Sequence, residues 1–203
     1  MPENSTPKRA HHPRLDPRNP YVIDLRGQGR SPGTMREVRR SVPSPAGLVL
    51  DLVAVPDGST LTLVLRLESV TQGVLVTGTV TAPIAGECGR CLDPVAGEID
   101  AEFQELFAYP HSTTDETTDQ DEVHRIEDDY IDLASVVRDA VVLGLPFTPL
   151  CQDDCAGLCP DCGRKLADLP PGHSHEQIDP KWAALRARFA GDEQADQMSQ
   201  STE

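Results

Sequence analysis

The sequence predicts an α+β fold: an antiparallel, barrel-like β-meander covered by one main helix, with a cysteine-rich C-terminal segment. Three observations predict it. Residues about 47–107 hold segments whose apolar side chains recur at every second position, one amphipathic helical pattern follows at about 132–145, and four cysteines crowd into Cys151 to Cys162. A period of two puts alternate side chains on one face of a strand, whereas a helix repeats every three or four residues.

The elements follow in order. A short ordered piece starts at Tyr21-Val22-Ile23-Asp24-Leu25, after a Pro-rich, polar stretch over residues 1–20 that is expected to be a disordered basic arm. Leu48 to Val55 is an apolar run closed by the turn residues Pro56-Asp57-Gly58-Ser59. Leu61, Leu63, Leu65 and Leu67 alternate with Thr62, Val64, Arg66 and Glu68, so the four leucines share a face. Beyond Gln72-Gly73, Val74, Val76, Val80, Ala82 and Ile84 repeat the pattern. In the fourth segment Val95, Ile99, Ala101, Phe103 and Phe107 oppose Glu98, Asp100, Glu102 and Gln104. Short connections imply antiparallel pairing, with one wet and one buried face.

The buried face needs a cover. Leu133, Val136, Val137, Ala140, Val141 and Leu143 recur at helical spacing, with Asp132 suited to the N-cap and Pro146 ending the helix. Residues 111–122 read as an acidic loop, 151–175 as a metal segment, 181–189 as a short helix with Trp182, Leu185 and Phe189 on one face, and 191–203 as a polar tail. Residues 21–190 are thus expected to form a single domain.

Charge is distributed unevenly. The chain of 203 residues carries a formal net charge of −15, which disfavours general binding to phosphate. Residues 1–40 nevertheless hold nine bases against four acids, a balance of +5 that leaves −20 for the remainder. One reading is a solvated basic arm. The other is an RNA-contacting segment, for which Arg26, Arg30, Arg36, Arg39 and Arg40 are the candidate ligands of phosphate, while the acidic body repels nucleic acid elsewhere. No apolar stretch reaches the roughly 20 residues of a membrane helix, and Met-Pro-Glu-Asn-Ser opens the chain without a secretion-signal pattern. A cytoplasmic location with reduced cysteines is expected.

The cysteines carry the chemistry. Cys88-Gly89-Arg90-Cys91 sits where one strand turns into the next, and Cys151, Cys155, Cys159 and Cys162 follow the helix, with Gly163 immediately after. Zinc favours thiolates in a tetrahedron, and a Cys-x2-Cys turn brings two sulfurs to one ion. His173 and His175, two residues apart on an extended segment, add two nitrogen ligands on one side. Eight ligands suffice for one or two structural zinc ions. Three groupings fit the spacing: the quartet Cys151 to Cys162 alone, Cys88 and Cys91 with Cys159 and Cys162, or Cys159 and Cys162 with His173 and His175. A thiol redox pair is disfavoured, because Leu92-Asp93-Pro94 after the first pair is not a helix start. The sequence contains no Walker A, dinucleotide or H-E-x-x-H motif.

Several separated motifs resemble the bacterial YceD family, named for accumulation of large-subunit ribosomal RNA. They are Arg30-Ser-Pro-Gly-Thr-Met-Arg36, Gly73-Val-Leu-Val-Thr-Gly-Thr-Val80, Gly86-Glu-Cys-Gly-Arg-Cys-Leu-Asp-Pro94 and Glu105-Leu-Phe-Ala-Tyr109. Asp132-Leu133, Leu145-Pro146, Cys155-Ala-Gly-Leu-Cys-Pro-Asp-Cys-Gly163 and Glu176-Gln-Ile-Asp-Pro-Lys-Trp182 continue the match. The chain is most similar to the high-GC Gram-positive form, in which His173 and His175 would replace cysteine ligands found in some relatives. The resemblance implies a non-enzymatic, cytosolic ribosome-biogenesis factor supporting large-subunit ribosomal RNA accumulation or processing. It supplies no catalytic residue. The expected partner is a large-subunit ribosomal RNA precursor or, on the alternative of an acidic protein-binding module, a basic ribosomal protein held before assembly. No small-molecule substrate or membrane partner is expected.

Overall fold

The computed structural model describes residues 15–110, 112, 123–175 and 181–182. Most of the acidic loop and of the arm, residues 176–180, all but the first two residues of the expected 181–189 helix, and the polar tail 191–203 lie outside them. The chain divides into two compact units, residues 1–155 and 156–203.

The first unit is mostly antiparallel sheet with one helix. Its strands are β1 (Val22–Asp24), β2 (Met35–Pro43), β3 (Val49–Leu50), β4 (Val53–Ala54), β5 (Thr60–Val70), β6 (Gly73–Glu87), β7 (Pro94–Ala108) and β8 (Tyr130–Asp132), and its helix is α1 (Ala134–Gly144). β2, β5, β6 and β7 form the meander, while the small β3–β4 hairpin pairs with β6 beyond the reach of β5. Among the described residues no pairing between β2 and β7 closes this sheet. β1 and β8 make a separate two-stranded sheet.

Alternation decides which side is buried. Leu61, Leu63, Leu65 and Leu67 of β5 are buried with Val74, Val76, Val80 and Ala82 of β6, as the period-two pattern requires. Tyr21, Ile23, Ile131 and Leu133 from the β1–β8 region join the same core, as do Val136, Val137 and Val141 of α1. Each fully buried aliphatic side chain contributes about 1.5–3 kcal/mol of transfer free energy.

Four details differ from the sequence expectation. The helix starts at Ala134 with Leu133 at its N-cap, and Asp132 ends β8 instead. Its carboxylate still serves the helix entry, accepting the Ala134 N–H at 2.8 Å. Leu143 is 81% exposed; it lies about 200° round the helix from buried Val141 at 100° per residue. Leu48 to Val55 is not one strand, because Asp51–Leu52 turns it into the β3–β4 hairpin. β2 is an additional strand hidden in the arginine-rich region, paired with β5 from Met35↔Glu68 to Pro43↔Thr60.

Candidate metal centres

The β6–β7 hairpin sets the first centre. Its register runs unbroken from Gly73↔Ala108 to Glu87↔Pro94, leaving Cys88 to Asp93 as the connecting turn. Within it Cys88 N–H donates to Asp93 O at 2.7 Å and Leu92 N–H donates to Cys88 O at 2.9 Å. The segment after α1 crosses this turn: Gly89 N–H donates to Pro149 O at 2.8 Å, and Arg90 Nη1 donates to Cys155 O at 2.9 Å. These bonds bring Cys151 and Cys155 to Cys88 and Cys91. Cys91 Sγ lies 3.5 Å from Cys151 Sγ, and Cys88 Sγ lies 3.8 Å from Cys155 Sγ. All four sulfurs fall within 4.8 Å of one another. The edge of a tetrahedral thiolate site is about 3.8 Å when the metal–sulfur distance is about 2.3 Å. The group therefore fits a metal ion. Arg90, which braces the site through Cys155, was not singled out from the sequence; its place inside the Cys-x2-Cys turn was the available signal.

Electrostatics of the sulfurs agree with shared use. Burial pushes the Cys88 thiol up, but the backbone N–H groups of Cys91, Arg90 and Cys151, with the Cys91 thiol, outweigh it and bring the pKa down to about 6. At Cys91 the Asp93 backbone N–H favours thiolate. Burial and the sulfurs of Cys151, Cys88 and Cys155 override this and push it up to about 12. Four clustered thiols cannot all ionise without a cation between them.

The second centre lies wholly in the second unit. Cys159 N–H donates to Arg164 O at 2.8 Å and Gly163 N–H to Cys159 O at 2.9 Å, the same two-bond turn as around Cys88. Gly163 has the positive φ of +68° that the expected glycine supplies. The N–H groups of Cys162 and Asp161 lower the Cys159 pKa against the effect of burial. Leu158 bridges Lys165, a 3-10 turn spans Leu166–Asp168, and the chain returns so that Cys162 Sγ lies 3.7 Å from His173 Nε2. His175 Nε2 is 2.8 Å from His173 Nε2. Cys159, Cys162, His173 and His175 form a second group able to hold a metal ion, with Cys162 and His175 exposed.

All eight ligand candidates are thus gathered, in two fours. Of the three groupings allowed by spacing, only Cys159 and Cys162 with His173 and His175 is formed. The contiguous quartet is split between the two centres, because its last two cysteines belong to a separate turn. Cys88 and Cys91 meet Cys151 and Cys155, not Cys159 and Cys162.

The candidate RNA ligands are placed differently. Arg26 clamps Asp24 at 2.6 Å, Arg30 pairs with Asp129 at 2.8 Å over the Tyr109 ring, and both remain exposed. Arg36 Nη2 donates to Asp24 O at 2.6 Å, and Arg40 Nη1 donates to Val22 O at 3.0 Å. Arg39 is exposed on the outer face of β2. Four of the five guanidinium groups are thus engaged with acceptors of the chain itself. Among the described residues no helix is long and apolar enough to cross a membrane.

Comparison with known proteins places the chain. The family description "Large ribosomal RNA subunit accumulation protein YceD" matches residues 76–187. The uncharacterized protein Rv2926c of Mycobacterium tuberculosis is 56% identical over 167 residues, covering 82% of this chain and 80% of its own. The uncharacterized protein ML1660 of Mycobacterium leprae is 46% identical over 174 residues, 86% and 80% of the two chains. The uncharacterized protein YlbN of Bacillus subtilis is 29% identical over 118 residues, 58% and 67%. No solved structure matches the chain. On the match over residues 76–187, just over half of the chain, and on these relatives, the chain belongs to the YceD family, that of the large ribosomal RNA subunit accumulation protein.

Proposed function

We propose that this protein is a non-enzymatic, cytoplasmic ribosome-biogenesis factor that supports accumulation or processing of large-subunit ribosomal RNA, with two structural zinc ions. The family description supplies the process. The observation that carries the structural role is the ligand count: each centre presents four protein ligands. A catalytic zinc keeps one position open for water or substrate, whereas a structural one is closed by four side chains. Thiolate-rich donor sets of this kind suit zinc better than magnesium or calcium, which take oxygen. The test is depletion of the protein in its host, with the ratio of large- to small-subunit ribosomal RNA as readout. The ratio should fall, and recover with wild type but not with a Cys88→Ser/Cys159→Ser variant. An unchanged ratio overturns the proposal.

Two partners remain in play, and one observation separates them. An RNA precursor would meet Arg26, Arg30, Arg36, Arg39 and Arg40, yet four of these are engaged with acceptors of the chain itself. A basic ribosomal protein would meet the acidic body. The arginine contacts favour this second reading. Binding of purified protein to precursor RNA and to individual ribosomal proteins, each across a salt series, distinguishes them.

A further inference from the structure

We propose that the free edge of β7 receives an extended, Lys/Arg-rich segment of a partner protein as an added β-strand. The inference rests on the acidic-module reading and gives it a location. β7 pairs with β6 along all fifteen of its residues. Its other edge, among the described residues, has only the terminal bridge Ala108↔Arg125. Such an edge offers unpaired N–H and C=O groups to an incoming chain.

Proteins usually blunt an edge strand with charged side chains, lysine above all, with internal proline or with a bulge. β7 has no lysine, internal proline or bulge, and its charges are all acidic: its only proline is Pro94 at the first position, and its register with β6 is continuous. β2, the other outer strand of the meander, carries Arg36, Arg39 and Arg40, and two of these reach over to carbonyl groups of neighbouring chain. The two edges are therefore built differently.

Charge selects the occupant. Glu98, Asp100 and Glu102 are exposed in a row on the outer face of β7, and Glu98 and Glu102 make no ion pair among the described residues. A strand with basic residues at alternate positions would set one cation beside each carboxylate. A second copy of β7 laid antiparallel about Asp100 would set carboxylate against carboxylate, which disfavours self-pairing. The carboxylates likewise repel phosphate, so this edge is not an RNA site. The chain's own basic arm carries Pro2, Pro7 and Pro13, which have no N–H to donate to a ladder.

The test uses the full-length, zinc-loaded protein and three twelve-residue peptides. One alternates Lys and Val, one alternates Glu and Val, and one has the same lysines with proline in place of alternate valines. Binding is measured by calorimetry, and exchange of the β7 amides by hydrogen–deuterium mass spectrometry. The Lys/Val peptide should bind and slow exchange across residues 95–107, and its affinity should fall at least tenfold in Glu98→Lys/Glu102→Lys. The milder Glu98→Gln/Glu102→Gln guards against a folding defect and should give an intermediate loss. Equal binding of the proline-containing peptide, or binding that leaves β7 exchange unchanged, overturns strand addition while leaving the acidic-module reading intact. Failure of basic peptides and of basic ribosomal proteins alike overturns both. Binding that rises tenfold on removing residues 1–14 makes the arm the occupant and overturns the partner assignment.

Discussion

Leu92 and Gly163 hold the same position in two copies of one turn. Each follows the second cysteine of a Cys-x2-Cys pair, with φ of +61° and +68°, and each donates its N–H to the carbonyl of the first cysteine at 2.9 Å. Glycine takes this conformation freely, while for leucine it costs about 1–2 kcal/mol. Leu92 is also 55% exposed, so packing returns little. Leu92→Gly should therefore stabilise the metal-loaded protein by up to about 1 kcal/mol, the residue's added unfolded-state entropy offsetting part of the relief. Gly163→Leu should weaken metal retention in the second unit. Thermal unfolding and metal content read the two; a lower Tm for Leu92→Gly would show that the strain is compensated by a contact.

The two centres should load and fail independently. Metal analysis of freshly reduced protein is expected to give two zinc ions per chain, with Cys88→Ser and Cys159→Ser each losing a different one and the double variant losing both. Loss of both ions from either single variant would contradict two separate groups of four. A chelator should empty the second centre first, because Cys162 and His175 are exposed while Cys88, Cys91 and Cys155 are buried. Single-phase release would argue against that order.

What the sequence revealed depended on whether neighbours in the chain carried the signal. β5 and β7 were legible because their apolar and polar residues alternate cleanly. β2 was not: its inward positions include Arg36 and Arg40 beside Val38 and Val42, so the guanidinium groups that reach backbone carbonyls mask an ordinary strand. Which residues could hold a metal was legible from composition and spacing, but half of their grouping was not. Cys88 and Cys91 meet Cys151 and Cys155 across 60 and 67 residues, and only the hairpin register and the path of the chain after α1 decide that.

Gly86 marks where the β3–β4 hairpin crosses β6. A Cβ there would run into the Leu52 carbonyl oxygen, and Val53 is its register partner. The collision is with backbone, so no side-chain rotation relieves it. Gly86→Ala should destabilise the first unit by about 3 kcal/mol, the upper part of the range for overpacking, and should loosen the adjoining Cys88 turn. Denaturant midpoints with and without metal measure this. A loss below 1 kcal/mol would mean that the hairpin moves aside.

Asp24 supplies a pH-dependent term of known sign. The Arg26 side chain and then its backbone N–H hold the Asp24 carboxyl at about 2, below the ordinary value of 3.8. A depressed acid stabilises the fold in full above its unfolded pKa, and that contribution fades as pH falls and is gone below the folded pKa. Here the window runs from about 4 down to about 2. Both partners are substantially exposed, at 63% and 42%, so solvent screening limits the contribution to at most about 1 kcal/mol. Carbon-detected NMR titration of the Asp24 carboxyl should find a midpoint near 2 in wild type and a higher one, still below 3.8, in Arg26→Ala, which loses the guanidinium but keeps the backbone N–H donor. Stability at pH 7 should fall slightly in the variant, and less in high salt. A wild-type midpoint at or above the ordinary value would show that the Asp24–Arg26 clamp does not persist in solution.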